Sequence, residues 1–150
     1  MATATTTATT TTTASPSSAT PARLKSLARQ MVATLCNTHD YASAFLTAHM
    51  SPAFSAMHDG GAPSADRAAF LAQIGGAMAK MPGFHAEVLD VVAEAGEGGR
   101  AKVWVFSRMS GFPGGVVKES VDMMEWEGEV LVRGRDVQRT VIEAAAAGVE

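Results

Sequence analysis

A single cysteine, Cys36, occurs in the 150 residues of this sequence. It excludes an internal disulfide framework and a cysteine-rich zinc site, and makes a reducing, cytoplasmic setting the simpler expectation. There is no excess of basic charge: 12 Lys and Arg stand against 15 Asp and Glu, a formal net charge of −3. Nothing draws the chain to phosphate backbones, and nucleic acid is not an expected partner. No apolar run approaches the ~20 residues that cross a bilayer, so no membrane partner is expected. The N-terminus lacks the apolar stretch of a secretory signal, and it has no Arg or Lys before Arg23, against the habit of organelle transit peptides. Phosphate-loop, dinucleotide and G-x-S-x-G patterns are missing, as is any H-x-x-x-H, so no cofactor and no metal are expected.

What is present is an ordinary globular composition, 47 % hydrophobic and 18 % charged, at a one-domain length. Residues 1–20 are Thr/Ser/Ala-rich, have nothing to bury, and read as a disordered head. One domain is expected over 21–142, and the alanine-rich 143–150 reads as a frayed tail.

The first part of that domain reads as helical. Pro21 stands where a helix starts, with Thr20 as its cap, and Leu24, Leu27, Met31 and Leu35 form one apolar stripe. Asp40 is placed to cap a second, shorter helix carrying Tyr41, Ala44, Phe45 and Ala48, ended by Ser51-Pro52. Residues 52–63, with Asp59-Gly60-Gly61 and Pro63, read as a loop. Ser64 is expected to cap a third helix with the stripe Phe70, Leu71, Ile74, Met78 and Met81. Gly75-Gly76 inside it suggests close approach of the sheet to this helix, or else a weak point or kink.

From His85 the period changes to two. Segments at about 85–95, 101–110, 116–126 and 129–139 are separated by short glycine-rich connections, which force an antiparallel meander. The expected fold class is α+β: three N-terminal helices packed on a curved antiparallel sheet of about four strands. In the second segment Ala101, Val103, Val105 and Met109 share one face, and Trp104 and Phe106 the other. Apolar residues on both faces need two covers. The helices supply one, and a second copy on the outer face supplies the other, so a homodimer is expected.

Several segments resemble the SnoaL-like proteins of the cone-shaped nuclear transport factor two-like superfamily. They are Asn37-Thr38-His39-Asp40-Tyr41, His49-Met50-Ser51-Pro52, Met81-Pro82-Gly83-Phe84, Val103 to Arg108, Lys118 to Met124 and Arg135 to Arg139. The resemblance spans about residues 21–140. It implies a conical cavity between sheet and helices, a hydrophobic small-molecule partner, and cofactor-free acid–base chemistry of the isomerase, cyclase or dehydratase kind on a polyketide-like or terpenoid compound. Non-catalytic binding or dimerisation modules share the fold.

Acid–base catalysis needs a group whose pKa is tuned by burial and that reaches the substrate proton. Asp122 lies in an apolar strand, sharing a face with Lys118, Ser120 and Met124, while Glu119 points the other way. Asp136 stands where the resemblance implies a polar cavity residue; its alternative is a cross-strand link to Arg108, Arg133, Arg135 or Arg139. His85 has a near-neutral pKa suited to proton transfer, against the plainer reading of a solvent-facing strand end. Tyr41 is a candidate donor to a substrate carbonyl, against that of a packing residue. Arg108, Trp104, Phe106 and Met124 are the expected substrate-binding residues, with Arg108 holding an acidic or enolate oxygen or else capping the dimer interface.

Overall fold

The computed structural model describes residues 19–141; the head through residue 18 and the tail from 142 lie outside the described residues. Helix α1 spans Pro21–Val32 and begins as the sequence suggests, with Pro21 in its first turn and the Thr20 hydroxyl accepting from Arg23 N at 3.2 Å. Its stripe of Leu24, Leu27, Ala28 and Met31 is fully buried. The helix then widens into a π-helical turn, Ala33–Thr38, which ends where His39 takes a left-handed φ of 54°. Such turns often mark functional sites, and this one carries Cys36 and Asn37. The Asn37 side chain bonds both the N–H and the C=O of Ala86, fixing the turn to the first strand of the meander.

Helix α2 is shorter than expected, Ala44–His49, because Ser43 and not Asp40 caps it; its hydroxyl accepts from Leu46 N. Tyr41 therefore sits in the preceding turn. The next segment corrects the expected loop. Met50–His58 is a strand, β1. Helix α3, Arg67–Met78, is capped by Asp66, whose Oδ1 accepts from Ala69 N at 2.8 Å. Ser64, expected as that cap, is instead bonded to β1: its hydroxyl accepts from Ala56 N and its own N–H donates to Ala56 O. This folds the connection back along the strand. The glycine pair in α3 does not admit the sheet as expected: Gly75 faces the Tyr41 ring at contact distance and Gly76 faces open space.

The meander follows as β2 His85–Ala95, β3 Arg100–Ser110, β4 Val117–Glu127 and β5 Val130–Val141, each antiparallel to the next. The sheet has five strands, in the order β1-β5-β4-β3-β2, and is mixed, because β1 runs parallel to β5. Register shifts between Val88 and Asp90, between Glu125 and Trp126 and along β1 give the bulges that curl a sheet. Its concave face meets α1 and α3 over a core that includes Val103, Val105, Trp126 and Leu131. Gly134 of β5 lets Phe54 of β1 lie flat on the sheet, since a Cβ there would stand 3.1 Å from the Phe54 ring.

Candidate active site

Between the concave face and the helices lies a cavity of about 300 Å³. Its walls are mostly apolar: Met31 and Leu35 from α1 and the π turn, Phe54 from β1, Phe70 and Ile74 from α3, Met109 and Met124 from the sheet. Against this lining one side is polar. β4 contributes Lys118, Ser120 and Asp122, β5 contributes Asp136 and Gln138, and β1 contributes His58.

Strand register brings the acids together. Asp122 is the direct partner of Asp136 across β4–β5, and Asp136 is the direct partner of His58 across the parallel β5–β1 pair. His58 Nδ1 lies 2.7 Å from Asp136 Oδ2, and Gln138 Nε2 donates to the same oxygen at 3.0 Å. Asp136 is thus held by a histidine and an amide, not by the arginine link that was its alternative reading. Asp122 has no comparable support. Ser120 Oγ is buried without a partner in hydrogen-bonding geometry, though it lies near enough to favour the charged carboxylate.

Burial comes first among the causes that push the Asp122 carboxyl up to about 7, and the neighbouring Asp136 adds to it. Ser120 and His58 pull the other way and do not prevail. Cys36 lines the same wall, and burial, with Asp122 and Asp136 behind it, pushes its thiol up to about 12. It is a neutral wall group at physiological pH. A carboxyl that is part protonated near neutrality can both take and return a proton, which is what general acid–base chemistry needs.

The sequence-expected residues divide between the two faces. Asp122, Asp136 and Met124 line the cavity. Trp104, Phe106 and Arg108 do not; they alternate with the buried Val103, Val105 and Ser107 and so lie on the convex face. Arg108 stands there in register with Glu87 and Glu119. His85 is exposed at the start of β2, while its neighbour Ala86 points inward. Tyr41 lies outside the cavity lining, stacked with His39 and with its hydroxyl buried and unpartnered. Four cavity residues have no role in the sequence analysis: His58, Ser120, Lys118 and Gln138. His58 was hidden in the presumed loop, although Phe54, Ala56 and His58 already alternate in period two. Ser120 shared the Asp122 face but was given no role. Among the described residues, no group of three or more His, Cys, Asp or Glu is arranged to hold a metal ion, and no helix is long and apolar enough to cross a membrane.

No family model matches the chain. Over 121 residues, 80 % of this chain and 95 % of the relative, it is 32 % identical to the probable cyclase otaY of Aspergillus niger. The chain belongs to the SnoaL-like family. Solved structures agree at the level of the fold. A proposed ketosteroid isomerase from Kribbella flavida matches with a TM-score of 0.64 at 16 % identity, covering 85 % of each chain. IdmH of Streptomyces antibioticus, a proposed polyketide cyclase, matches with a TM-score of 0.60 at 16 % identity, covering 77 % of this chain and 91 % of that one. The SnoaL-like cavity expected between helices and sheet is the one described above, with β1 closing the side where Asp136 and His58 meet.

Proposed function

We propose that this SnoaL-like chain is a cofactor-free enzyme of the cyclase type, acting by acid–base chemistry on a hydrophobic polyketide-like or terpenoid carbonyl compound. The observation that carries the reading is Asp122: a carboxyl in an apolar cavity, opposite a second carboxylate, poised near neutrality. The name of the Aspergillus niger relative supports the reaction class.

In this reading the Asp122 carboxylate removes a proton from a carbon next to a carbonyl, and the unpartnered Ser120 hydroxyl donates to the developing enolate oxygen. The enolate carbon attacks a second carbonyl of the same substrate. One C–H bond breaks, one C–C bond forms, and the proton on Asp122 passes to the new alkoxide. The reaction is redox-neutral. Asp136, held by His58 and Gln138, keeps a negative charge beside Asp122 and so maintains its affinity for the proton. His58, with a side chain 62 % exposed, links this pair to solvent.

The test is deuterium exchange into aryl ketones and β-diketones, followed by NMR. Wild-type protein should catalyse exchange, and Asp122→Asn should lose roughly 10²–10⁴-fold of it. Absence of exchange by the wild type across such a series would favour the second reading, a non-catalytic binding module of the same fold.

The homodimer also belongs here as a proposal. On the convex face, Glu87, Arg108, Glu119 and Arg139 form one cross-strand row, and Glu94, Lys102, Glu125 and Arg133 another. Between them lie Val92, Trp104, Phe106, Val121 and Val137, of which Val92, Val121 and Val137 are exposed. Each row alternates in sign, so a twofold axis along the strands sets every charge opposite its complement. Sedimentation of the wild type as a dimer and of Val121→Arg as a monomer would support this; a wild-type monomer would end it.

A further inference from the structure

We propose that Lys118 forms an anion subsite in this cavity, so that the natural ligand carries a carboxylate at the end remote from its reacting carbonyl. This deepens the reading of the same cavity given above and rests on it. Lys118 lies on the cavity face of β4, in line with Ser120 and Asp122. Its ammonium stands 5.0 Å over the ring of Phe112 and 3.5 Å from Gln138 Oε1. Neither partner carries a negative charge, and among the described residues Lys118 has no ion pair.

Gln138 explains why the charge is left unneutralised. Its amide turns oxygen toward Lys118 and nitrogen toward Asp136 Oδ2. A direct lysine–aspartate pair in place of this relay would neutralise both groups. The spacer keeps Asp136 negative beside Asp122 and leaves a cation facing the apolar cavity, between an aromatic ring and an amide that hold it in place. The other cationic groups on the wall are not equivalent. His58 is bonded to Asp136, and Arg135 is an exposed residue of opposite strand parity to Asp136.

A half-buried cation at the edge of an apolar cavity, with no acidic partner, selects for an anionic ligand. Asp122 lies four residues beyond Lys118 along the strand, a distance of roughly 13 Å. The ligand is therefore elongated: a carboxylate at Lys118, a carbonyl at Asp122, and between them a stretch of chain that passes Ser120 and its cross-strand partners Ser107 and Gln138.

The experiment is calorimetric binding of ω-benzoylheptanoate and of its methyl ester, a matched pair that differs in the one charge. Wild-type protein should bind the acid about tenfold or more tightly than the ester, the usual effect of a charge-assisted hydrogen bond. Lys118→Met should bind both alike with ester affinity retained, and Lys118→Arg should keep most of the preference. Equal binding by the wild type, no binding of either compound, or a preference that survives in Lys118→Met would overturn the proposal. Because binding is read and not turnover, Asp122→Asn separates the two claims. It should keep the preference for the acid even if no protein in the series exchanges a proton, and loss of the preference there would assign the selection to Asp122 and overturn the Lys118 subsite.

Discussion

Asp122 and Asp136 are direct partners across β4 and β5, yet they live in different surroundings: Asp136 is bonded by His58 and Gln138, whereas Asp122 has only the nearby Ser120 hydroxyl. Two adjacent carboxyls of unequal support do not ionise together. The less supported one keeps its proton to higher pH, and this inequality sets up the acid–base reading.

The neighbours of Asp122 should therefore move its ionisation in opposite directions. Asp136→Asn removes a like charge, so the acid limb of the exchange rate should shift to lower pH. His58→Ala removes a group that lowers the Asp122 pKa, so the same limb should shift to higher pH. Exchange rates measured across the pH range for both variants check this, and shifts of the same sign would contradict it.

The same carboxyl affects stability, with the sign fixed by linkage. Its pKa in the fold is raised from 3.8 to about 7, so folding is favoured while it is protonated and the advantage is lost as pH rises toward 7. Asp136, His58 and Ser120 act on it, and Cys36 lines the same wall. Between the two pKa values wild-type stability should fall, relative to Asp122→Asn, by a few kcal/mol. Urea unfolding at a series of pH values measures the difference, and a constant difference would contradict the raised pKa.

How far this could be read from sequence depended on which contacts are local. The meander and its alternation are local properties, and within each strand they group Asp122 with Met124 and Trp104 with Phe106 and Arg108; which faces of the two strands coincide is set by register, so the expectation that Trp104, Phe106 and Arg108 bind substrate beside Met124 fails. β1 reads as a loop in the sequence because Ser51, Pro52, Ala53, Ser55 and Ala56 have little strand propensity. Pro52 is tolerated because β1 is the edge strand, and its pairing is with β5, some eighty residues on. His58 went with it. Tyr41 was misplaced by a capping choice between Asp40 and Ser43 that tertiary packing decides.

Two glycines should respond oppositely to alanine. Gly111 has φ +83°, and a Cβ there would overlap the Gly83 carbonyl. Gly111→Ala should cost about 2–3 kcal/mol or more through backbone strain and the displaced Gly83-Phe84 turn. Gly76 is helical and faces open space, so Gly76→Ala should stabilise by about 0.5–1 kcal/mol. Thermal melts of both variants decide.

Cys36 should be inert. With its thiol pushed up to about 12, from 9.0, it holds about a thousandfold less thiolate at neutral pH than an ordinary cysteine. Native protein should react with iodoacetamide at a correspondingly low rate, and unfolded protein at the ordinary one. Equal rates would contradict the raised thiol pKa.

The most direct test is the titration of Asp122 itself. With ¹³C-labelled aspartate, the carboxyl resonance that disappears in Asp122→Asn identifies it, and its chemical shift is followed against pH. A midpoint near 7 is the predicted result. A midpoint at about 4, the value of a free aspartate, would remove the base on which the proposed reaction depends.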